Sequence, residues 1–174
     1  ARLRDFLLIT GEAQQLLDSE NMAELTAFCT GSWATSAETD AGSGSWEAAA
    51  CRCLQDLEIL EPDWLALLKQ WEQAPELPSF APQDPEKLER IAVYFAFRYL
   101  LKAVNDGDLL GRAQFCALGV LVTDRLSRFV GLPEALRLFS REIEHNEENL
   151  DTLLEQFWQT EGLSLSALLA AFGG

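Results

Sequence analysis

The chain has 174 residues, 48% of them hydrophobic, and a formal net charge of −15 from 13 Lys and Arg against 28 Asp and Glu. That length and apolar fraction fit one domain with a sizeable core. The charge disfavours a general nucleic-acid binder, whose phosphate contacts need clustered Lys and Arg, and docking on an anionic membrane; it fits a solvated helical surface or a docking face for a basic partner.

Residues 1–30 read as helix, because Leu3, Phe6, Leu7, Leu16, Leu17, Leu25 and Phe28 recur at helical spacing. Gly11 either breaks this segment or is tolerated in it, and Ser19 offers a weak restart. The opening has too short an apolar run, and no small-residue cleavage site, for a signal peptide. It starts on Ala inside a helical pattern, as expected of a fragment of a longer protein. The stretch GSWATSAETDAGSGS, residues 31–45, lacks periodicity and reads as a long surface loop pinned by Trp33. Ser45 suits an N-cap for a helix over 46–60, with Trp46, Ala49, Ala50, Cys53, Leu57 and Leu60 on one face. Pro62 and Asp63 then start a helix over 64–73, whose stripe is Trp64, Leu67, Leu68 and Trp71. Pro75, Pro78 and Pro82 make residues 74–84 an extended strap between an N-terminal helical group (1–73) and a C-terminal one (85–174).

The centre of the chain, residues 85–129, reads as a helical hairpin. Asp84 caps its first helix and Pro85 occupies the first helical position. Leu88, Ile91, Ala92, Phe95, Tyr99 and Val104 share one face, while Val93, Tyr94, Phe97, Leu100 and Leu101 cover another, so burial on several sides is expected. Asn105-Asp106-Gly107-Asp108 has a D-x-D-like form that could hold a cation, but it lacks the further carboxylates of a calcium loop. Turn and cap is the simpler reading, with Asp108 capping the second helix, over 109–129. Gly111 and Gly119 there would permit close helix approach. Gly131 stops that helix and Pro133 opens another over 134–145, continued over 146–158 with a kink near Asn146. Gly162 breaks the pattern, Ser164 caps a last segment and Phe172 anchors it. The fold class expected is all-α: an irregular bundle of about seven to nine helices around a central antiparallel hairpin, in one domain.

Four cysteines occur, Cys29, Cys51, Cys53 and Cys116, and one histidine, His145. C-x-C spacing at Cys51 and Cys53, with no second pair, does not make a four-ligand metal site, so free thiols in a reducing, cytoplasmic compartment are expected. Glu142 and His145 stand at the Glu-x-x-His spacing of di-iron bundles, but a single histidine excludes the standard site. The segment 141–149 reads either as a charged helix face, with Arg141 paired to carboxylates, or as a polar cluster facing a pocket, with His145 as proton carrier. No Gly-rich nucleotide loop, P-loop or G-x-S-x-G elbow is present.

The pieces YFAFRYLLKAVNDGD (94–108) and SREIEHNEENL (140–150) occur together in a chain that, over residues 91–157, resembles the C-terminal helical part of the flagellin lysine-N-methylase family. That resemblance implies transfer of methyl groups from S-adenosylmethionine to lysine ε-amines of flagellin, in the cytoplasm. It also implies a cysteine-rich upstream segment associated with an iron–sulfur cluster, which this chain lacks. The matched positions are Arg98, Tyr99, Asp106, Asp108, Arg141, Glu142, Glu144, His145 and Asn149, without assigned roles. Tyr99, Arg141, Glu142, Glu144 and His145 are the catalytic candidates, and Tyr94, Arg98, Asp106, Asp108 and Asn149 the substrate-binding ones; no metal ligand is nominated. Tyr94, Tyr99, Glu142 and Glu144 would supply aromatic and acidic walls for an amine and a sulfonium. On this reading Glu142 and Glu144 serve function and not stability. The alternative expectation is a non-catalytic helical interaction module whose acidic surface binds a basic segment of a partner.

Overall fold

The structure is a computed structural model and describes residues 2–31, 46–75, 82 and 84–172. Its elements are α1 (Arg2–Asp18), α2 (Met22–Thr30), α3 (Trp46–Asp56), α4 (Pro62–Glu72), α5 (Pro85–Tyr99), a 3₁₀ turn (Leu100–Lys102), α6 (Ala103–Asp106), α7 (Leu109–Val130), α8 (Leu132–Phe139), a π turn (Ser140–Glu144), α9 (Glu147–Gln159), a second 3₁₀ turn (Glu161–Leu163) and α10 (Leu165–Ala171). The fold is all-α, and no strand occurs among the described residues. No helix among them is long and apolar enough to cross a membrane. The expected roles of Trp33 and Ser45, and most of the strap, fall outside the described residues.

Local chemistry explains the boundaries. Asp84, Asp108 and Ser164 each accept an N–H from the third residue beyond them, at Lys87, Gly111 and Ala167. Gly107 takes the left-handed conformation, φ 74°, that ends α6 and turns the hairpin. α1 passes through Gly11 and stops at Asp18; Asn21, not Ser19, caps α2. α3 ends at Asp56, short of the expected Leu60, which is exposed and not part of its apolar face.

α7 is the element around which the bundle closes. Every residue from Ala113 to Ser127 is buried, and α1, α4, α5, α8, α9 and α10 all pack on it. A helix apolar all round is stable only when covered all round. The hairpin is therefore asymmetric. α5 buries Leu88, Phe95 and Tyr99 towards α7 but leaves Val93, Tyr94, Phe97, Leu101 and Val104 on the surface. Burial of α5 on several sides, expected from its composition, is corrected here. Val104 leaves the face of Phe95 and Tyr99 because the 3₁₀ turn, with three residues per turn, shifts the helical phase.

The hairpin closes on aromatic rings. Phe95 lies 6.1 Å from Phe115, 5.7 Å from Phe139 and 6.3 Å from Tyr99 between centroids, and Tyr99 meets Phe115 edge-on at 4.7 Å. Gly119 faces the Phe95 ring so closely that a Cβ there would lie 3.0 Å from it, which accounts for the helix approach. Gly111 does something else: a Cβ there would strike the capping carboxylate of Asp108.

Gln14 ties α1 to the hairpin turn. Its side-chain amide donates to Gly107 O, and its carbonyl accepts the N–H groups of Leu109 and Leu110 at 2.8 and 3.1 Å. Two of the four orphan donors at the start of α7 are thus satisfied from 95 and 96 residues away. On the far side Arg125, on α7, approaches Glu47 at 3.2 Å and donates to Pro75 O at 2.6 Å, while Trp71 Nε1 donates to Glu47 at 3.2 Å.

Burial pushes the Cys53 thiol up to about 11 and the Cys116 thiol up to about 12, and it raises Cys51 as well. The thiolate is the reactive form, so these three are expected to resist reagents at neutral pH, whereas Cys29 is exposed. Titration with a chromogenic disulfide should count one thiol in the folded protein and four after denaturation. Two or more fast thiols in the folded state would contradict this packing.

Candidate functional site

α8 does not run straight into α9. Its end widens into a π turn in which His145 N donates to Ser140 O at 3.0 Å, an i to i+5 bond. Such turns insert a residue into the helical register and often mark functional positions. Here the turn sends Glu142 and Glu144 to two different neighbours.

Glu142 is fully buried. Its oxygens accept the backbone N–H groups of Leu60 at 2.9 Å and Glu61 at 2.7 Å, both in the link between α3 and α4. Asn149, also buried, holds the same link: it accepts Glu58 N at 3.0 Å and donates to Glu58 O and Glu142 O, each at 2.8 Å. Asn146 caps α9 and donates to the Glu58 carboxylate at 3.0 Å. Arg137 clamps Glu61 from the surface at 3.1 to 3.2 Å, with Arg141 at 3.8 Å. The result is a polar staple across residues 57–61.

Glu144 points the other way. One of its oxygens accepts the hydroxyls of Tyr94 at 2.9 Å and Tyr99 at 2.8 Å, and Arg98 Nε lies 3.5 Å from it. Arg98 also donates to the Tyr99 hydroxyl at 3.1 Å and lies over the Tyr99 ring, as does Lys102. Burial, then the Glu144 carboxylate, pushes both phenols above their ordinary range, so they remain protonated donors.

The nominated residues therefore fall into separate places. Tyr94, Arg98, Tyr99 and Glu144 form one cluster. Glu142 and Asn149 face the opposite neighbour, with Arg141 near Glu61. His145 is exposed at the end of the turn and does not share a face with Glu142. Asp106 and Asp108 sit at the hairpin turn: Asp106 binds Arg112 at 2.5 Å, which holds its carboxyl below the usual range, and Asp108 is the α7 cap. The two pieces quoted for the resemblance do pack side by side, through Tyr94, Tyr99 and Glu144.

A second feature was not nominated from the sequence. α1, α5 and the end of α10 enclose an apolar groove of about 580 Å³, with Leu3, Phe6, Leu88 and Phe172 as walls and Ala92, Ala96 and Val120 at its base. An ion pair between Arg2 and Glu89 stands at the rim. The sequence signal for it is the i, i+4 alanine pair on α5, small side chains that leave a slot where larger ones would fill it. No protein-family model, curated protein or solved structure matches this chain.

Proposed function

We propose that this protein is a helical binding module that takes an apolar segment of a basic partner protein into the groove between α1, α5 and α10. The observation that carries this reading is the groove itself, an apolar cleft of about 580 Å³ on a chain of net charge −15. Clefts of this size with apolar walls are the usual form of ligand sites. The apolar walls supply affinity by removing the partner's side chains from water. The acidic field attracts Lys- and Arg-bearing partners, speeds encounter and rejects acidic ones. Binding should accordingly weaken as salt rises.

Fluorescence anisotropy with three labelled peptides tests the reading: one apolar with Lys and Arg flanks, one apolar with Asp and Glu flanks, and one basic but without large apolar residues. The first is expected to bind and the others not. Ala96→Trp fills the groove from a half-buried position and should weaken the first peptide at least tenfold, with the helical melting transition kept. Undiminished binding by that variant would remove the groove from the reading, and no binding of any peptide would sink it.

A second reading is a domain of a lysine N-methylase, with S-adenosylmethionine as cofactor and flagellin as protein substrate. The observation in its favour is that Tyr94, Tyr99 and Glu144 form an aromatic and acidic cluster at the surface of α5. Glu144 is engaged there by Arg98, so an incoming amine would have to displace that guanidinium. Calorimetry with S-adenosylmethionine decides it: absence of heat with this chain and with any longer form of the protein would end the methylase reading.

A further inference from the structure

The outer face of α5 is separate from the groove and presents a different problem. Val93, Phe97, Leu101 and Val104 are 63%, 79%, 65% and 87% exposed. Their spacing of four, four and three residues follows the change from α to 3₁₀ winding, so they stand in one line about 17 Å long. Single exposed apolar residues are ordinary, but a contiguous row of large ones marks an interaction surface.

We propose that this face pairs with the same face of a second copy of the chain, in an antiparallel, two-fold arrangement. Three observations select that occupant. The first is charge. Two molecules of net charge −15 repel, so they can meet only where the local balance is not acidic. Along residues 85–106 Lys87, Arg90, Arg98 and Lys102 stand against Glu86, Glu89 and Asp106, a slight positive excess on an acidic molecule. The second is complementarity under a two-fold axis. With the axis between Phe97 and Leu101, Val93 meets Val104 of the second copy and Phe97 meets its Leu101. Arg90 then lies beside Asp106 of the second copy, whereas a parallel pairing would lay Arg90 on Arg90 and Lys102 on Lys102. The third is area. Covering the row together with Tyr94 removes on the order of 500 Å² per copy, about 1,000 Å² in all, the lower edge of specific interfaces. That area supports a weak, reversible dimer, micromolar or looser, and not an obligate one.

Sedimentation velocity across a hundredfold range of protein concentration is the first test. The expected result is a reversible shift from 19.4 kDa towards twice that mass, abolished by Phe97→Asp. Crosslinking fixes the orientation: in a Cys29→Ser background, Val93→Cys mixed with Val104→Cys should form a disulfide-linked dimer under mild oxidation, and Val93→Cys alone should not. A monomer at every concentration overturns the proposal and leaves the face to another protein; a crosslink of Val93→Cys to itself overturns the antiparallel form. Peptide binding in the groove is read separately through Ala96→Trp, so either proposal can fail while the other stands.

Discussion

Replacing Phe95 by alanine is expected to destabilise the protein by about 4 kcal/mol, in the range for a buried Phe emptied to Ala. Phe95 is fully buried and is the ring on which Tyr99, Phe115 and Phe139 converge. Its loss leaves a cavity that Gly119, directly opposite and without a side chain, cannot fill. A chain of this size loses about 2–4 °C of melting temperature per kcal/mol, so the midpoint should fall by about 10 °C. Phe95→Leu retains most of the volume and should cost about half as much. A fall under about 2 °C for the alanine variant would show that α5 does not depend on this ring cluster.

Removal of Glu142 should cost nearly as much. Glu142→Ala takes away the acceptor for the Leu60 and Glu61 amides and strands both donors, a loss of about 3 kcal/mol. Glu142→Gln keeps one carbonyl acceptor and should lose roughly half of that. Glu147→Ala, exposed three residues beyond the π turn, should stay within about 0.5 kcal/mol of the parent. Urea melts followed by circular dichroism read all three. Equal midpoints for the Glu142→Ala and Glu147→Ala variants would refute the staple. The expectation that Glu142 serves function and not stability is thus corrected by its geometry: each of its oxygens is already committed to a backbone N–H.

Glu142 also shows where sequence reading stops. In the run SREIEHNEENL, nothing local separates a glutamate that is fully buried from Glu147 or Glu148 on the surface. Its partners lie 81 and 82 residues away, and a π turn breaks the 3.6-residue period by which burial would be read. Asp84, Asp108 and Ser164 were legible as caps because a cap and its N–H lie three residues apart. Gln14 was not, because its task is set by a turn more than ninety residues on. The two hairpin helices are both rich in apolar residues, yet α7 is enclosed and α5 is half bare. Composition gives the amount of apolar surface on a helix but not how many neighbours arrive to cover it. The Tyr94–Tyr99–Glu144 cluster was nominated residue by residue, whereas the groove was hidden because Leu88, Ala92 and Phe172 read as core.

The staple has a consequence for the timing of local opening. Residues 57–61 form an irregular link near the surface, the kind of segment whose amide protons ordinarily exchange with solvent in seconds to minutes. The Leu60 and Glu61 amides, however, end on a carboxylate that is itself fully buried, and they are released only when the π turn leaves the core. Their deuterium uptake should therefore keep pace with the interior of α7 and respond to denaturant with the slope of global unfolding. In this protein the last backbone to open would include a stretch that has no regular secondary structure.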